Sequence, residues 1–289
     1  MRKKQQSCLP ARIDTAAFAC SYSTHPKKEQ VMDSLWQRLQ EQAHQLAERN
    51  PVMSHYVQFG ILSQPSFAAA LAANLARQLK EQAGTTDLTG WFTDIIRGNS
   101  DIASNAAADI NHLVIVNPAC PDHLTAFLTF RGIQAVQAYR ISHALWNDGD
   151  IQSAVLLQNW AANTWSIDIH PAARLGKALF VDHGIGLVIG ETAVVEDEVS
   201  LWHGVTLGST LAEVGDRHPK IRRGALICAG ASVLGNIEVG AKAIVAANAV
   251  VLKPVTAGAV VAGTPAKVVG SAPQSLATLT SKTLTQREQ

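Results

Sequence analysis

Cysteine is scarce in this chain: four among 289 residues (Cys8, Cys20, Cys120 and Cys228), widely spaced and without a CxxC pair. That pattern argues against a disulfide scaffold and against a zinc ribbon, and it suits a reducing cytoplasm. Surplus charge is lacking as well. Twenty-four Lys and Arg face 23 Asp and Glu, a net charge of +1, so neither nucleic acid nor an anionic membrane surface is expected as a partner, and a small molecule is. Long apolar runs are missing too, since the longest uncharged stretches are broken by Gly, Asn or Gln, and no membrane span is expected. Arg2, Lys3 and Lys4 resemble the start of a signal peptide, but Arg12 and Asp14 interrupt the only apolar stretch that follows. What is abundant is hydrophobic: 47% of the residues, enough for one large domain or two ordinary ones and too much for a disordered or fibrous protein.

These hydrophobic residues fall into a pattern from Ile169 to Val255, where an aliphatic side chain returns every sixth position. Ile169, Leu175, Val181, Leu187, Ala193, Val199 and Val205 keep one phase, and Ile221, Ile227, Val233, Val239, Val245 and Val251 keep a second. A period of six is neither the 3.6 of an amphipathic helix nor the 2 of a free strand; it predicts a parallel β-helix in which each hexad is one short face of a coil. A Val-rich parallel α/β sheet is the competing reading, and it fails because no helical segment separates the strands. Ala225, Ala231, Ala243 and Ala249 fit the tight corners. Between Val205 and Ile221 the spacing is sixteen, which reads as ten residues inserted between hexads. The inserted loop carries Glu213, Gly215, Asp216, Arg217, His218, Pro219 and Lys220, and irregular loops on regular scaffolds are where function concentrates.

Ahead of the β-helix the chain reads as helical. Residues 1–30 lack a period and carry Pro10 and Pro26, a disordered extension. Residues 31–165 form an α domain: a first helix started by Asp33 and ending near Asn50-Pro51, a helix over 66–83, short helices over 87–96 and 102–110, and two last helices over 127–146 and 151–165. Trp146, Trp160 and Trp165 read as packing residues. The β-helix domain takes residues 166–270, and a flexible polar tail takes 271–289. The fold class is α+β, an all-α domain followed by a parallel β-helix with an inserted active-site loop.

In a β-helix, residues about one turn apart stack on one face, so Asp168 and His183 are expected to meet near one corner, the geometry of a base and the group that orients it. His183 follows an acid, precedes a glycine and interrupts the aliphatic pattern. His170 and His203 read as structural. His183, His203 and His218 match no short metal-ligand spacing, and no metal is expected.

Several stretches in this order resemble serine O-acetyltransferases of the hexapeptide-repeat acyltransferase superfamily: Asp168-Ile169-His170-Pro171-Ala172, Asp182-His183-Gly184, Ile189-Gly190-Glu191-Thr192-Ala193, Val205-Thr206-Leu207-Gly208 and Gly215-Asp216-Arg217-His218-Pro219-Lys220. Gly235-Asn236-Ile237-Glu238-Val239-Gly240 and Gly263-Thr264-Pro265-Ala266 extend the match. The resemblance implies a left-handed β-helix, acetyl-CoA as a co-substrate with no permanently bound cofactor, trimers joined through the β-helices, and hexamers built by the α domains as dimers of trimers. It makes His183, Asp168 and His218 the catalytic set, His183 as general base and Asp168 behind its imidazole. Asp182 and His218 would meet the ammonium and hydroxyl of L-serine, and Arg217 its carboxylate. CoA would lie along Gly208, Ser209, Ala229 and Ala247. The product would be O-acetyl-L-serine for cysteine synthesis.

The sequence also departs from the family. Asn117-Pro118-Ala119 stands where the family has an aspartate that helps hold the substrate ammonium, and an amide there supplies a hydrogen bond without charge. Gly208-Ser209-Thr210-Leu211-Ala212 replaces Gly-Gly-Thr-Gly-Lys, and Cys228 and Asn248 replace glycines. Two other readings therefore stay open: an acetyltransferase with another hydroxyl- or amino-bearing acceptor, and a non-catalytic trimeric scaffold. Relatives that end in isoleucine insert it into O-acetylserine sulfhydrylase; here the last residue is Gln289, whose amide would be desolvated in an alkyl pocket, so a tight complex with that enzyme is not expected.

Overall fold

The computed structural model describes residues 28–210 and 214–273. Helices come first: α1 (Lys28–Arg49), α2 (Pro51–Val57), a π-helical turn (Gln58–Leu62), α3 (Phe67–Gln78), α4 (Lys80–Ala83), α5 (Leu88–Gly98), α6 (Ser100–Val116), α7 (His123–Thr129), α8 (Arg131–Asn147) and α9 (Ile151–Trp165). Short polar side chains start several of them by accepting from backbone N–H groups of the first turn: Asn50 for α2, Ser66 for α3, Asp87 for α5, Asp122 for α7 and Asp150 for α9. Asp33 is not such a start, because α1 begins at Lys28 and Asp33 lies inside it. The helix expected over 127–146 is two helices, with Phe130 extended between α7 and α8. The break has a packing cause: a side chain at Gly132 would run into the backbone and side chain of Val181, so α8 starts pressed against the β-helix.

The strands are β1 (Ile167–Ile169), β2 (Arg174–Leu175), β3 (Phe180–Asp182), β4 (Leu187–Ile189), β5 (Val194–Val195), β6 (Ser200–Trp202), β7 (Thr206–Gly208), β8 (Lys220–Ile221), β9 (Leu226–Ile227), β10 (Ser232–Leu234), β11 (Glu238–Val239), β12 (Ile244–Val245), β13 (Val250–Val251), β14 (Ala259–Ala262) and β15 (Lys267–Ser271). They form three parallel faces of a prism. Face A is β1-β4-β7-β10-β13, face B is β2-β5-β8-β11, and face C runs from β3 through β6, β9 and β12 to β14. Only β15, which folds back on β14, is antiparallel.

The register corrects the phase read from the sequence. Ile169 lies beside Ile189, not Leu187, and Val181 lies beside Leu201, not Val199. Each face carries two inward aliphatic columns, such as Ile167, Leu187, Val205, Ala231 and Ala249 beside Ile169, Ile189, Leu207, Val233 and Val251, all buried. The first coil is twenty residues long, and two extra residues at Asp182–Gly186 shift the chain from one column to the other without breaking the six-residue rhythm. The loop before β8 is accordingly an insertion of eight, since Val195 pairs with Ile221 twenty-six residues on and a regular coil spans eighteen. The ten residues counted from the sequence are two insertions, and the smaller one carries His183.

Helix α8 fastens the helices to the first coil. It is buried almost all round, and its polar side chains reach the β-helix backbone: the Tyr139 hydroxyl donates to Ala173 O, Arg140 Nη2 donates to Gly176 O at 2.9 Å, and His143 Nδ1 lies 2.6 Å from Pro171 O. Arg140 also pairs with the buried Asp109 of α6 at 2.7 Å, whose carboxylate accepts from Gln137 Nε2 and Leu179 N as well. Among the described residues no helix is long and apolar enough to cross a membrane. Of the extension expected over residues 1–30, residues 28–30 belong to α1, and Ser271 of the expected tail belongs to β15; residues 1–27 and 274–289, with Gln289, lie outside the described residues.

Candidate active site

The prism has three edges, and the histidines and loop residues singled out by the sequence sit on two of them, whereas Asp168 lies within face A and Asn117 at the end of α6. His183 lies on the edge between faces C and A, in the two-residue insertion. Its side chain is 71% exposed, its Nε2 stands 3.9 Å from Asp182 Oδ2, and its ring meets that of His203 on the next coil edge-on, 5.9 Å between centroids. The backbone of His183 is left-handed (φ 52°), a conformation that costs a side-chain-bearing residue about 1–2 kcal/mol and is found at functional sites. It borders an open cleft of about 340 Å³ with Thr129, Phe130, Arg131, Gly132 and Ile185, where α8 begins.

The register places His183, His203, Ala229 and Ala247 in one column along this edge, one residue per coil. The residues that follow them, Gly184, Gly204, Gly230 and Asn248, all have positive φ. Asn248 is thus a glycine substitute where the turn demands a left-handed residue, and asparagine tolerates that conformation better than other side chains do. Gly208 and Ser209 lie elsewhere, at the end of β7 on the edge between faces A and B. Within one chain the four positions assigned to CoA do not form one line.

The A–B edge also carries the inserted loop. His218 is 6% exposed and lies over Gly190, where any side chain would overlap its ring. The Thr192 N–H donates to His218 Nδ1 at 3.2 Å and the Thr192 hydroxyl lies 2.9 Å from the same nitrogen, which leaves the ring proton on Nε2. Burial first, and then the Arg217 guanidinium, lower the His218 pKa below its ordinary value of 6.5, so this imidazole stays neutral and offers Nε2–H as a donor. Thr192 Oγ1 in turn accepts from the N–H groups of Arg217 and His218, both at 3.0 Å. Arg217 is held by Glu191 at 2.6 Å, and its hydrogen bond keeps the Glu191 carboxyl below the usual range. Lys220 closes the loop on Asp216 Oδ1, Thr192 O and His218 O.

Asp168 and His183 are not hydrogen-bonded to each other. Asp168 Oδ1 accepts from Gln158 Nε2 of α9 at 2.6 Å, a partner with no signal in the sequence beyond being one polar residue on a helix. Asn117 makes local bonds: its Oδ1 accepts from Ala119 N at 2.9 Å just after α6, and the side chain is buried. His170 Nδ1 accepts from Ala172 N, and its ring packs edge-on against Trp146, in keeping with a structural residue. Trp165 is buried, and Trp146 and Trp160 pack against the core. Glu191, Thr192 and Gly190 stood in a stretch noted only for resemblance, and their part in seating His218 and Arg217 appears only in three dimensions.

A parallel β-helix of hexad coils with an ionisable loop thrown out at one edge and a pair of exposed, touching imidazoles, His183 and His203, at another is the architecture of a hexapeptide-repeat acyltransferase. Within that class the comparisons are specific. The model described as serine acetyltransferase, N-terminal, matches residues 35–138. A protein of Schizosaccharomyces pombe that bears the serine acetyltransferase name is 45% identical over 259 residues, 89% of this chain and 96% of its own. The serine acetyltransferase of Brucella abortus in complex with coenzyme A superposes with a TM-score of 0.80 at 40% identity, over 83% of this chain and 97% of that one. A serine acetyltransferase in complex with cysteine gives 0.80 at 40% identity, over 82% and 93%. The chain belongs to the serine acetyltransferase family, whose members are acetyl-CoA-dependent acyltransferases.

Proposed function

We propose that this protein transfers acetyl from acetyl-CoA to the hydroxyl of L-serine, giving O-acetyl-L-serine for cysteine synthesis, with His183 as the general base. The observation that carries the assignment of His183 is its place: an exposed imidazole, in an open cleft, in the same column as the small residues Ala229 and Ala247. Serine's hydroxyl is a poor nucleophile at neutral pH. A neutral imidazole takes its proton as the oxygen attacks the thioester carbonyl; the tetrahedral oxyanion then collapses, the C–S bond breaks, and the imidazolium returns the proton to the departing thiolate. Asp168 stabilises the imidazolium through a contact that forms in the substrate complex, where catalytic hydrogen bonds absent or long in the free enzyme commonly tighten. Asp182 faces the ammonium, Arg217 the carboxylate, and neutral His218 donates Nε2–H to the substrate.

The two edges on which these groups stand flank face A from opposite sides, so one chain alone does not bring His183 to His218. A cyclic trimer does, by setting the C–A edge of one subunit against the A–B edge of the next. Ile185 beside His183 and Val188 beside Asp168 on face A, 48% and 40% exposed, give that contact apolar surface to cover. Gly208 and Ser209 of one subunit and Ala229 and Ala247 of its neighbour then line one groove, which suits CoA. The α domains offer a further contact between two trimers.

A different acceptor is favoured by one observation, Asn117, whose carbonyl oxygen is already occupied by Ala119 N and which carries no charge. Thiol release from acetyl-CoA measured with serine, homoserine, threonine and simple amino sugars decides between acceptors: serine is expected to give the highest kcat/KM, and a higher value for another acceptor would overturn the assignment.

A further inference from the structure

The Asp168 carboxylate is built into rigid structure from both sides. Its own strand, β1, pairs with β4 residue for residue, and its neighbours Ile167 and Ile169 are buried in the prism. Across from it, α9 is fixed by the buried Ala154 and Leu157 and by the Ser142 hydroxyl, which donates to Ala154 O at 2.7 Å. From this helix the half-buried Gln158 reaches Asp168, and its Nε2 donates to Oδ1 at 2.6 Å. This is the one hydrogen bond that the Asp168 side chain receives among the described residues.

We propose that Gln158 is a positioning residue for acetyl transfer: by occupying Oδ1 it fixes the plane of the Asp168 carboxylate and leaves Oδ2 free for the imidazole of His183. The proposal rests on the role given above to Asp168. The chemistry favours an amide at this position. A lysine or arginine would pair with the carboxylate and draw its charge away from the imidazolium, and a carboxyl would repel it or share its proton. A glutamine does neither, because it supplies one directed N–H without charge. It also makes the last helix of the α domain part of the active-site framework.

The test is a double-mutant cycle with Gln158→Met, which keeps the side chain's length without its donor, and Asp168→Asn. Gln158→Met is expected to lower kcat about tenfold with both KM values changed less than about twofold, the split that a group acting only in the transition state produces. A residue that only supports the fold would instead lower the melting temperature and the active fraction. The double variant is expected to be no slower than Asp168→Asn alone, because Gln158 works through that carboxylate. Multiplying losses in the double variant, or unchanged kcat in Gln158→Met, would overturn the proposal while leaving Asp168 in its role. Unchanged kcat in Asp168→Asn would overturn the role of Asp168, and the proposal with it. Should Gln158→Met fail to fold, Gln158→Glu takes its place in the cycle, with a larger loss of kcat expected and the same non-additivity.

Discussion

At the scale of single residues, the account makes His183 the base and His218 a neutral donor. His183→Ala is expected to lower kcat by about a hundredfold or more while CoA binding persists, because a general base acts in the transition state and not in donor recognition; near-normal turnover would remove His183 from the mechanism. The neutral state of His218 is visible directly. Nitrogen NMR of histidine-labelled protein should show its Nε2–H form persisting below pH 6.5, the ordinary value from which burial and Arg217 displace it downward. A protonated ring at neutral pH would contradict the geometry of Thr192. His183 was legible in the sequence because it interrupts an aliphatic rhythm. Thr192 and Gly190 were not, because neither residue type is unusual and their function is to seat a ring twenty-six or more residues away.

The interface between helices and β-helix contains one buried ion pair, Asp109 with Arg140, 1% and 5% exposed at the side chain. Removing one member strands the other, so Asp109→Ala should cost about 3–5 kcal/mol, read as a loss of thermal stability. No change in melting temperature would show that the ion pair adds nothing to what the apolar contacts of α8 and the Tyr139 and His143 hydrogen bonds already supply. The inserted loop behaves differently, because its pairs are near the surface. Glu191 and Asp216 both have folded pKa values held below the ordinary 4.5 and 3.8, by Arg217 and Lys220 respectively. The unfolded chain takes up those protons first as pH falls, so their stabilisation is complete above these ordinary values and disappears as pH drops through the lower folded ones. Wild type and Glu191→Gln should therefore differ in melting temperature at neutral pH and converge in strong acid; a constant difference would disprove the pairing. The β-helix was legible from its period, but its register was not: with aliphatics at both inward positions of each strand, a shift of two residues leaves the rhythm intact. Helix ends such as the break at Phe130 escaped for the opposite reason, since they are set by contact with Val181 and not by local sequence.

For the molecule as a whole, the central claim is that acetyl transfer occurs at a site assembled from His183 of one subunit and the loop of His218 of the next. Mixed trimers test it most directly. His183→Ala and His218→Ala are each expected to be nearly inactive as pure proteins in thiol release with acetyl-CoA and serine. Co-expressed in equal amounts, they should recover about a quarter of wild-type activity, because random assembly into cyclic trimers gives about one interface in four both intact histidines. If both histidines served from the same chain, every chain in the mixture would lack one of them. Activity no higher than that of the separate variants would contradict the account.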